Sequence, residues 1–404
     1  VLDPARNAAM GCRSLHTEQQ VAESEWVGTM LGRRIRDGER YLPVAEKIRD
    51  KRVILETEYT RDESPRRVWD DYSPPDFDYA NLYDREHFEK MEKNDYWDLT
   101  SEDFVVSHTS FYDEFYSRSN LGNTSYYSGT AALCWSDSNQ HGRQEATENA
   151  RMSGRVDPVR IKKQSFYAFK VLHNPDPDIY LVGHWNYPVD PEAYVYEIKD
   201  QDHKYTGRTA LRDPENKTIY VITSSHVEKV KLVINDNLIE VNENPENNFL
   251  FKFANINIMQ PGYIEAIGYN KKGEKITEHK VETVNEVDTI RLTAVTGPEG
   301  FRANGSDIAF IDIEMVDEQG RVHPLDYDRI DFEVDGPAVI RGAYNSGTRN
   351  LRHKNNYAYA ECGRNRLFIK STRKAGPIRV KVKRPGLKSA EVCLESKPFE
   401  IDEI

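Results

Sequence analysis

The chain has 404 residues, 38% of them hydrophobic and 30% charged, with a formal net charge of −12; that length accommodates about two to four globular domains. The acidic balance, with no basic patch interleaved with aromatics, argues against a nucleic-acid binder, and no run of about 18 apolar residues offers a membrane-spanning helix. The 23 Tyr and 5 Trp supply flat, half-polar surfaces that suit carbohydrate faces as well as cores. Cys12, Cys134, Cys362 and Cys393 show no metal-ligand spacing. They read as separate buried thiols, with Cys362–Cys393 the one pair placed to close a disulfide within a domain. The opening Val1-Leu2-Asp3-Pro4-Ala5-Arg6-Asn7 lacks an initiator Met, a basic segment and an apolar leader segment, and reads as the middle of a longer polypeptide.

In chain order, residues 8–15 make a short strand of small residues, with polar His16, Glu18 and Gln19 at its exit. A second strand is expected over 26–31, and a helix over 42–49, where Leu42, Ala45 and Ile48 recur at spacings of three. The next strand runs from Val53, Ile54 and Leu55 into Glu56, Thr57, Glu58 and Tyr59. That pattern suits a parallel strand that is buried along its length and polar at its carboxyl end. Alternation with period two puts Glu56 and Glu58 on one side of the strand, roughly 6.5–7 Å apart. A carboxylate inside a strand is costly unless paired or functional. Glu58, nearer the exit, therefore reads as a working group and Glu56 as its support; the plainer reading is two acids fraying into solvent. Strand, polar exit and helix in alternation predict βα units around a parallel sheet.

Residues 60–98 interrupt this rhythm with Trp69, Tyr72, Phe77, Tyr79, Tyr83, Phe88, Tyr96 and Trp97 among many charges. A connection of this length reads as a binding wall or lid, or else as an insertion packed on its own aromatics. From Ser101 the chain turns helical, with Phe104, Val105, His108, Phe111, Tyr112 and Phe115 at spacings of three and four. His108 lies on this apolar stripe and reads as a core histidine. A further buried strand is expected over 129–135. Its exit, Ser136 to Arg143, includes Asp137, Asn139 and His141 directly after Trp135. An indole beside a ring of donors and acceptors is how a sugar is held, stacked on its C–H face and bonded at its hydroxyls. A helix follows over 160–171, stopped by Pro175 and Pro177.

From about residue 179 the pattern becomes short alternating strands with turn signals, expected over 219–223, 230–234, 249–253 and 263–269, with turns at Asn235-Asp236-Asn237 and Lys271-Lys272-Gly273. Thr283-Val284-Asn285-Glu286 reads as a linker. A second set follows over 289–295, 307–316, 330–334, 365–370, 378–383 and 390–394. Each set has the size of an immunoglobulin-like β-sandwich, and neither concentrates candidate catalytic residues.

Ile54-Leu55-Glu56-Thr57-Glu58-Tyr59, then Trp135-Ser136-Asp137-Ser138, then two sandwiches, together resemble the carboxyl-terminal half of a glycoside hydrolase of family 2. The family comprises retaining exo-β-glycosidases, among them β-galactosidases, β-glucuronidases and β-mannosidases. Leu2-Asp3-Pro4-Ala5-Arg6 resembles the turn before the family's fifth barrel strand, and Trp135 through Arg160, including Gly154-Arg155-Val156-Asp157-Pro158-Val159-Arg160, resembles the end of the barrel. The fold so implied is α/β plus all-β: the C-terminal half of a (β/α)₈ TIM barrel over residues 1–177, an immunoglobulin-like sandwich over 178–284 and another over 285–404.

Several functional expectations follow from the resemblance. Glu58 matches the catalytic nucleophile, and Trp135 matches the aromatic that floors the sugar subsite. Substrate contacts are expected from Trp135, Asp137, Asn139, Glu56, His16 and Tyr59. The acid/base Glu of the family follows an Asn at the fourth strand, but here Asn-Glu occurs only as Asn242-Glu243 and Asn285-Glu286, in or between the sandwiches. The expected activity is thus the nucleophile-bearing portion of a retaining β-glycosidase, first of all a β-galactosidase. Its acid/base would come from an N-terminal half that is a separate chain or a removed segment. The rival reading is a non-catalytic carbohydrate-binding or scaffold protein with a degenerate barrel. The two-carboxylate chemistry demands no cofactor, although the resemblance allows Mg²⁺ or Na⁺ near the site. The resemblance also implies a β-linked sugar or oligosaccharide as substrate, allows a homo-oligomer, and suggests a bacterial periplasmic or extracellular location.

Overall fold

The structure, a computed structural model, describes residues 9–12, 25–29, 53–59, 66, 68, 101–116, 129–132, 134–137, 153–187, 216–258, 260–344 and 356–399. Strands β1 (Ala9–Cys12), β2 (Trp26–Thr29), β3 (Val53–Tyr59) and β4 (Gly129–Ala132) form one sheet in the order β1-β2-β3-β4. All its pairings are parallel: Ala9 lies opposite Trp26, Trp26 opposite Val53, and Leu55 opposite Gly129. Adjacent parallel strands in sequence order require crossover connections, as the βα rhythm predicts. The helix expected over 42–49 lies outside the described residues.

The register of β3 on β4 slips: Glu56 pairs with Thr130 and Tyr59 with Ala132, so three steps on β3 match two on β4. Glu58 stands inside this slip. Strict alternation therefore does not carry from Glu56 to Glu58, and a spacing of two no longer fixes them to one side. Irregularities of this kind recur beside active sites, where they re-aim a residue.

Helix α1 (Ser101–Tyr116) buries Phe104, Val105, His108 and Tyr112. Helix α2 (Gln164–His173) buries Ser165, Ala168, Val171 and Leu172. It starts four residues later than the apolar spacing predicts, because Arg160 has a φ of 74° and Val156 bridges antiparallel to Lys162. A positive φ cannot sit inside a right-handed helix. The helix ends at Asn174, whose extended backbone is the conformation demanded before Pro175.

Strands β5 (Ile179–Leu181), β6 (Lys217–Thr223) and β9 (Leu250–Ile256) make one sheet of the first sandwich, in the order β5-β6-β9. The facing sheet runs β11-β10-β7-β8, with β7 Lys229–Ile234, β8 Asn237–Asn242, β10 Tyr263–Tyr269 and β11 Lys275–Glu282. Leu181, Trp185, Val221, Leu232, Phe251, Phe253 and Ile264 fill the space between them. In β7 and β10 buried and part-exposed residues alternate, the mark of a sheet with one wet face. β6 instead is buried nearly throughout: Ile219 and Val221 face the sandwich core, while Tyr220 and Ile222 pack with α1 and α2. The β7–β8 hairpin turns on Asn235 and Asp236, whose φ values of 47° and 65° are those of a type I′ turn.

The last sandwich pairs two sheets. One, in the order β12-β14-β18-β16, contains β12 (Thr289–Val295), β14 (Ile308–Val316), β16 (Ala338–Tyr344) and β18 (Arg364–Ser371). The other, in the order β13-β20-β19-β15-β17, contains β13 (Phe301–Arg302), β15 (Arg329–Asp335), β17 (Tyr357–Tyr359), β19 (Gly376–Lys383) and β20 (Ala390–Lys397). Ile311, Ile313, Phe332, Leu367, Ile369, Val380 and Val382 form its core. The Cys362–Cys393 disulfide is not made. Cys362 is a buried free thiol and Cys393 an exposed one, and Cys362 Sγ instead lies 3.1 Å from the Tyr327 hydroxyl.

Candidate active site

The stretch after β4 is laced to residues 153–157. Cys134 N–H donates to the Ser153 carbonyl at 3.1 Å, and Asp137 N–H to Val156 at 3.0 Å. In return the Trp135 carbonyl accepts from Arg155 N–H at 2.9 Å and Val156 N–H at 3.1 Å. Gly154 makes this approach possible, since a Cβ there would lie 2.1 Å from the Asp137 nitrogen. So held, the Trp135 indole is 60% exposed and meets Phe166 edge-on, with centroids 5.8 Å apart. A wet indole on a pinned backbone can stack on a ligand without first being ordered.

Asp137, expected among the substrate contacts, is only 3% exposed. Its Oδ1 accepts from Gly154 N–H and from Lys163 Nζ, each at 2.7 Å. Burial pushes its carboxyl up to about 6 against the pull of Lys163. As placed, Asp137 braces the loop from within.

Next to this brace lies a second buried charge cluster centred on Arg66, itself 4% exposed. Arg66 Nη2 donates to Asp157 Oδ2 at 2.9 Å and to the Ile161 carbonyl at 2.8 Å, and Nη1 donates to the Lys162 carbonyl. Asp157 Oδ1 accepts from Val159 N–H and Ile161 N–H at 2.9 and 2.8 Å. From the last sandwich, Glu361 Oε2 comes within 3.3 Å of Arg66 Nε, a charge contact without hydrogen-bond alignment. The Cys362 thiol donates to the Arg66 carbonyl at 3.4 Å. Burial raises the Glu361 carboxyl to about 7, with Arg66 opposing, and pushes the Cys362 thiol up to about 12.

Arg155 is buried with its guanidinium carbon 3.8 Å from the centroid of Phe169. His108 lies between Phe104 and Phe169, at centroid distances of 5.2 and 4.8 Å. Burial first, and then Arg155 and His173, hold its imidazole well below the usual histidine range. A neutral histidine in an aromatic stack is a core residue, as the apolar stripe predicts.

Comparison with known proteins gives this arrangement a family. Residues 292–393 match glycoside hydrolase family 2 C-terminal domain 5. A β-glucuronidase of Formosa agariphila is 39% identical over 349 residues, 86% of this chain and 31% of that protein. A solved β-glucuronidase from glycoside hydrolase family 2 superposes with a TM-score of 0.68 at 35% identity, covering 94% of this chain and 34% of the other. The chain belongs to glycoside hydrolase family 2.

Within family 2, the chain spans about a third of the length of these two relatives. A β-galactosidase of Bacteroides ovatus matches at 26% identity over 34% of this chain. A family 2 structure from Bacteroides cellulosilyticus shares the fold with a TM-score of 0.65 at 18% identity. The two extensive matches above are thus to β-glucuronidases, while the galactosidase match covers a minor part. The extensive similarity is therefore to β-glucuronidases rather than to the β-galactosidases expected from sequence.

Of the family's expected site residues, the structure describes Trp135 and Asp137 in full. Glu56, Glu58 and Tyr59 are placed as backbone of β3; their side chains, and His16 and Asn139 altogether, lie outside the described residues, as does nearly all of the loop 60–98. Among the described residues no group of three or more His, Cys, Asp or Glu could hold a metal ion, and no helix is long and apolar enough to cross a membrane, which leaves strands aside. Arg66, Lys163 and Glu361 escaped the sequence reading. Asp157 was legible only as part of the 154–160 motif. The one local signal for Glu361 is its neighbour Gly363.

Proposed function

We propose that the chain is the C-terminal portion of a retaining exo-β-glycosidase acting on β-glucuronides. On this reading the sheet β1–β4 is the second half of a (β/α)₈ barrel, and Glu58 is the nucleophile. The observation that carries it is the pairing of Tyr59 with Ala132. The ends of β3 and β4 lie side by side, so Glu58 and the exposed Trp135 leave the same edge of a parallel sheet, where such sheets keep their chemistry. The extensive identity to a β-glucuronidase supports the choice of sugar.

Glu58 attacks the anomeric carbon while the bond to the leaving oxygen breaks, and that oxygen takes a proton from an acid/base carboxyl about 5–5.5 Å away. The same group then deprotonates water, which displaces Glu58 from the sugar. The acid/base belongs to an N-terminal half outside this sequence, and that half is the partner the reading requires. Trp135 stacks on the sugar. A periplasmic or extracellular bacterial location accords with this role.

The test uses the chain together with its N-terminal half. Nitrophenyl β-glucuronide should be hydrolysed in preference to the galactoside and mannoside, and Glu58→Gln should abolish turnover. A 2-fluoro glucuronide should leave a covalent adduct on the peptide containing Glu58. An adduct elsewhere, or full activity in E58Q, rejects the assignment.

A further inference from the structure

We propose that Glu361, in the last sandwich, is a positioning residue for the active site: by gripping Arg66 it locks the exits of β3 and β4 into one unit. The contacts of Arg66 with Glu361, Asp157 and the Ile161 and Lys162 carbonyls are the observed part. What the lock positions rests on the reading of Glu58 and Trp135 given above.

Three observations carry the inference. Arg66 follows Glu58 by eight residues, on the segment leaving β3. Its guanidinium holds Asp157 and the carbonyls of Ile161 and Lys162. These lie on the same segment, 153–163, whose amides and Lys163 hold Cys134, Trp135 and Asp137. Arg66 is therefore the tie between the two strand exits, and the sandwich closes the cluster from outside by two contacts, Glu361 to Nε and the Cys362 thiol to the carbonyl.

A tight turn between β17 and β18 delivers them. Glu361 and Arg364 exchange backbone hydrogen bonds at 3.0 and 3.2 Å, and Cys362 and Gly363 between them have φ of 50° and 71°. A left-handed non-glycine residue is disfavoured by the clash of its Cβ with the backbone, and a buried carboxylate is costly unless it is paired. Gly363 admits no side chain, since a Cβ would fall 2.5 Å from the His323 carbonyl oxygen. The turn is also tied into its own sandwich, where Met315 N–H donates to the Gly363 carbonyl at 2.9 Å and Gly363 N–H to the Asp326 carbonyl at 2.8 Å; its outward contact is the one with Arg66.

The groups acting on Glu361 are Arg66, Asp157, Lys163 and Asp137, with Cys362 and Tyr344 coupled to it in turn. In the joint its carboxyl titrates near 7, against an ordinary value of 4.5. A pKa raised by burial means that the buried carboxyl holds its proton more tightly than an exposed one. The joint is then firmest at low pH and weakens as pH rises from about 4.5 to about 7. Asp137, raised to about 6, adds a fall that is complete at lower pH.

Amide hydrogen exchange on the full chain, corrected for intrinsic rates at each pH, tests this with wild type, Glu361→Ala and Glu361→Gln. In E361A the amides of Asp137, Gly154, Arg155 and Val156 should exchange roughly tenfold faster or more, the effect of losing a buried polar partner. Those of β14 and β18 should be unchanged. E361Q, with the shape but without the titration, should restore protection, and its loss of protection with rising pH should end near 6 rather than near 7. Unchanged exchange over 134–137 and 153–163 in E361A overturns the proposal. So does acceleration confined to β14 and β18, which would make Glu361 a residue of its own domain alone. Neither outcome touches the adduct experiment, and failure of the adduct would leave the lock standing without its catalytic meaning.

Discussion

Where the first sandwich meets helices α1 and α2 the contact is built on one shared apolar core, with Phe104, Val105, Tyr112, Val171 and Leu172 against Tyr180, Tyr220, Ile222, Phe249 and Leu250, and with hydrogen bonds from Asn247, Asn248 and Tyr180 to Thr109, Asp113 and Gln164 beside it. Where the last sandwich meets the same part of the chain, the contact is charge and hydrogen bond: Glu361 and Cys362 on Arg66, and the Arg366 guanidinium on the Val159 carbonyl. The two joints do different work. Apolar burial is non-directional and adhesive. A buried ionic joint gains little net stability because desolvation offsets attraction, but it tolerates one geometry only. The first sandwich is glued on; the last is keyed in.

Four measurements would break or sharpen this contrast. Phe249→Ala, which removes a ring 1% exposed and edge-on to Tyr112 at 5.0 Å, should cost about 3–5 kcal/mol in urea unfolding, equally at pH 5 and pH 8. Arg66→Met should cost about 3 kcal/mol at pH 8, since it strands Asp157 and Glu361 as buried carboxylates. At pH 5 the loss should be smaller, because Glu361 is then protonated; an equal loss at both values would deny the ionic joint its titration. The acid limb should behave oppositely within the last sandwich. Asp317 is held down at about 2 by Arg321, against burial, which opposes its ionisation. A depressed carboxylate stabilises the fold above its ordinary value of 3.8 and loses that contribution as pH falls toward 2. Asp317→Asn should therefore flatten the decline of Tm below pH 4 and leave the limb near neutrality untouched. Smallest of all, Arg291→Ala removes a half-exposed pair with Glu314 at 2.6 Å, and should change stability by less than about 1 kcal/mol, an effect that salt erases.

Much of the strand pattern was legible in the residues. The expected bounds of β10 and β12 coincide with the observed ones, because each alternates over a full strand between clear turns. β8 and β16 were missed for a physical reason. β8 is an edge strand exposed nearly throughout, so burial imposes no period on it; in β16 the residues alternate only between partly and fully exposed until Ala343. The start of α2 was misplaced because Ile161 and Phe166 carry an apolar spacing that the left-handed Arg160 overrides. For the site, the Glu58 strand and the Trp135 loop announced themselves through polar residues at the ends of apolar runs. Cys134, Cys362 and Cys393 are free thiols, as their spacing suggested, but Cys393 is exposed rather than buried, while Cys362 packs against Tyr327 and Arg66.

What the residues determined unaided is whatever depends on near neighbours: the period of half-buried strands such as β7 and β10, the turn at Asn235-Asp236-Asn237, and the polar tip of β3. What the tertiary structure alone decided is which charges share a burial site. Arg66 and Cys362 stand 296 positions apart, and no local pattern marks a guanidinium for one carboxylate among the many in so acidic a chain. That choice is made by desolvation, which acts only when distant segments exclude water from the same few ångströms.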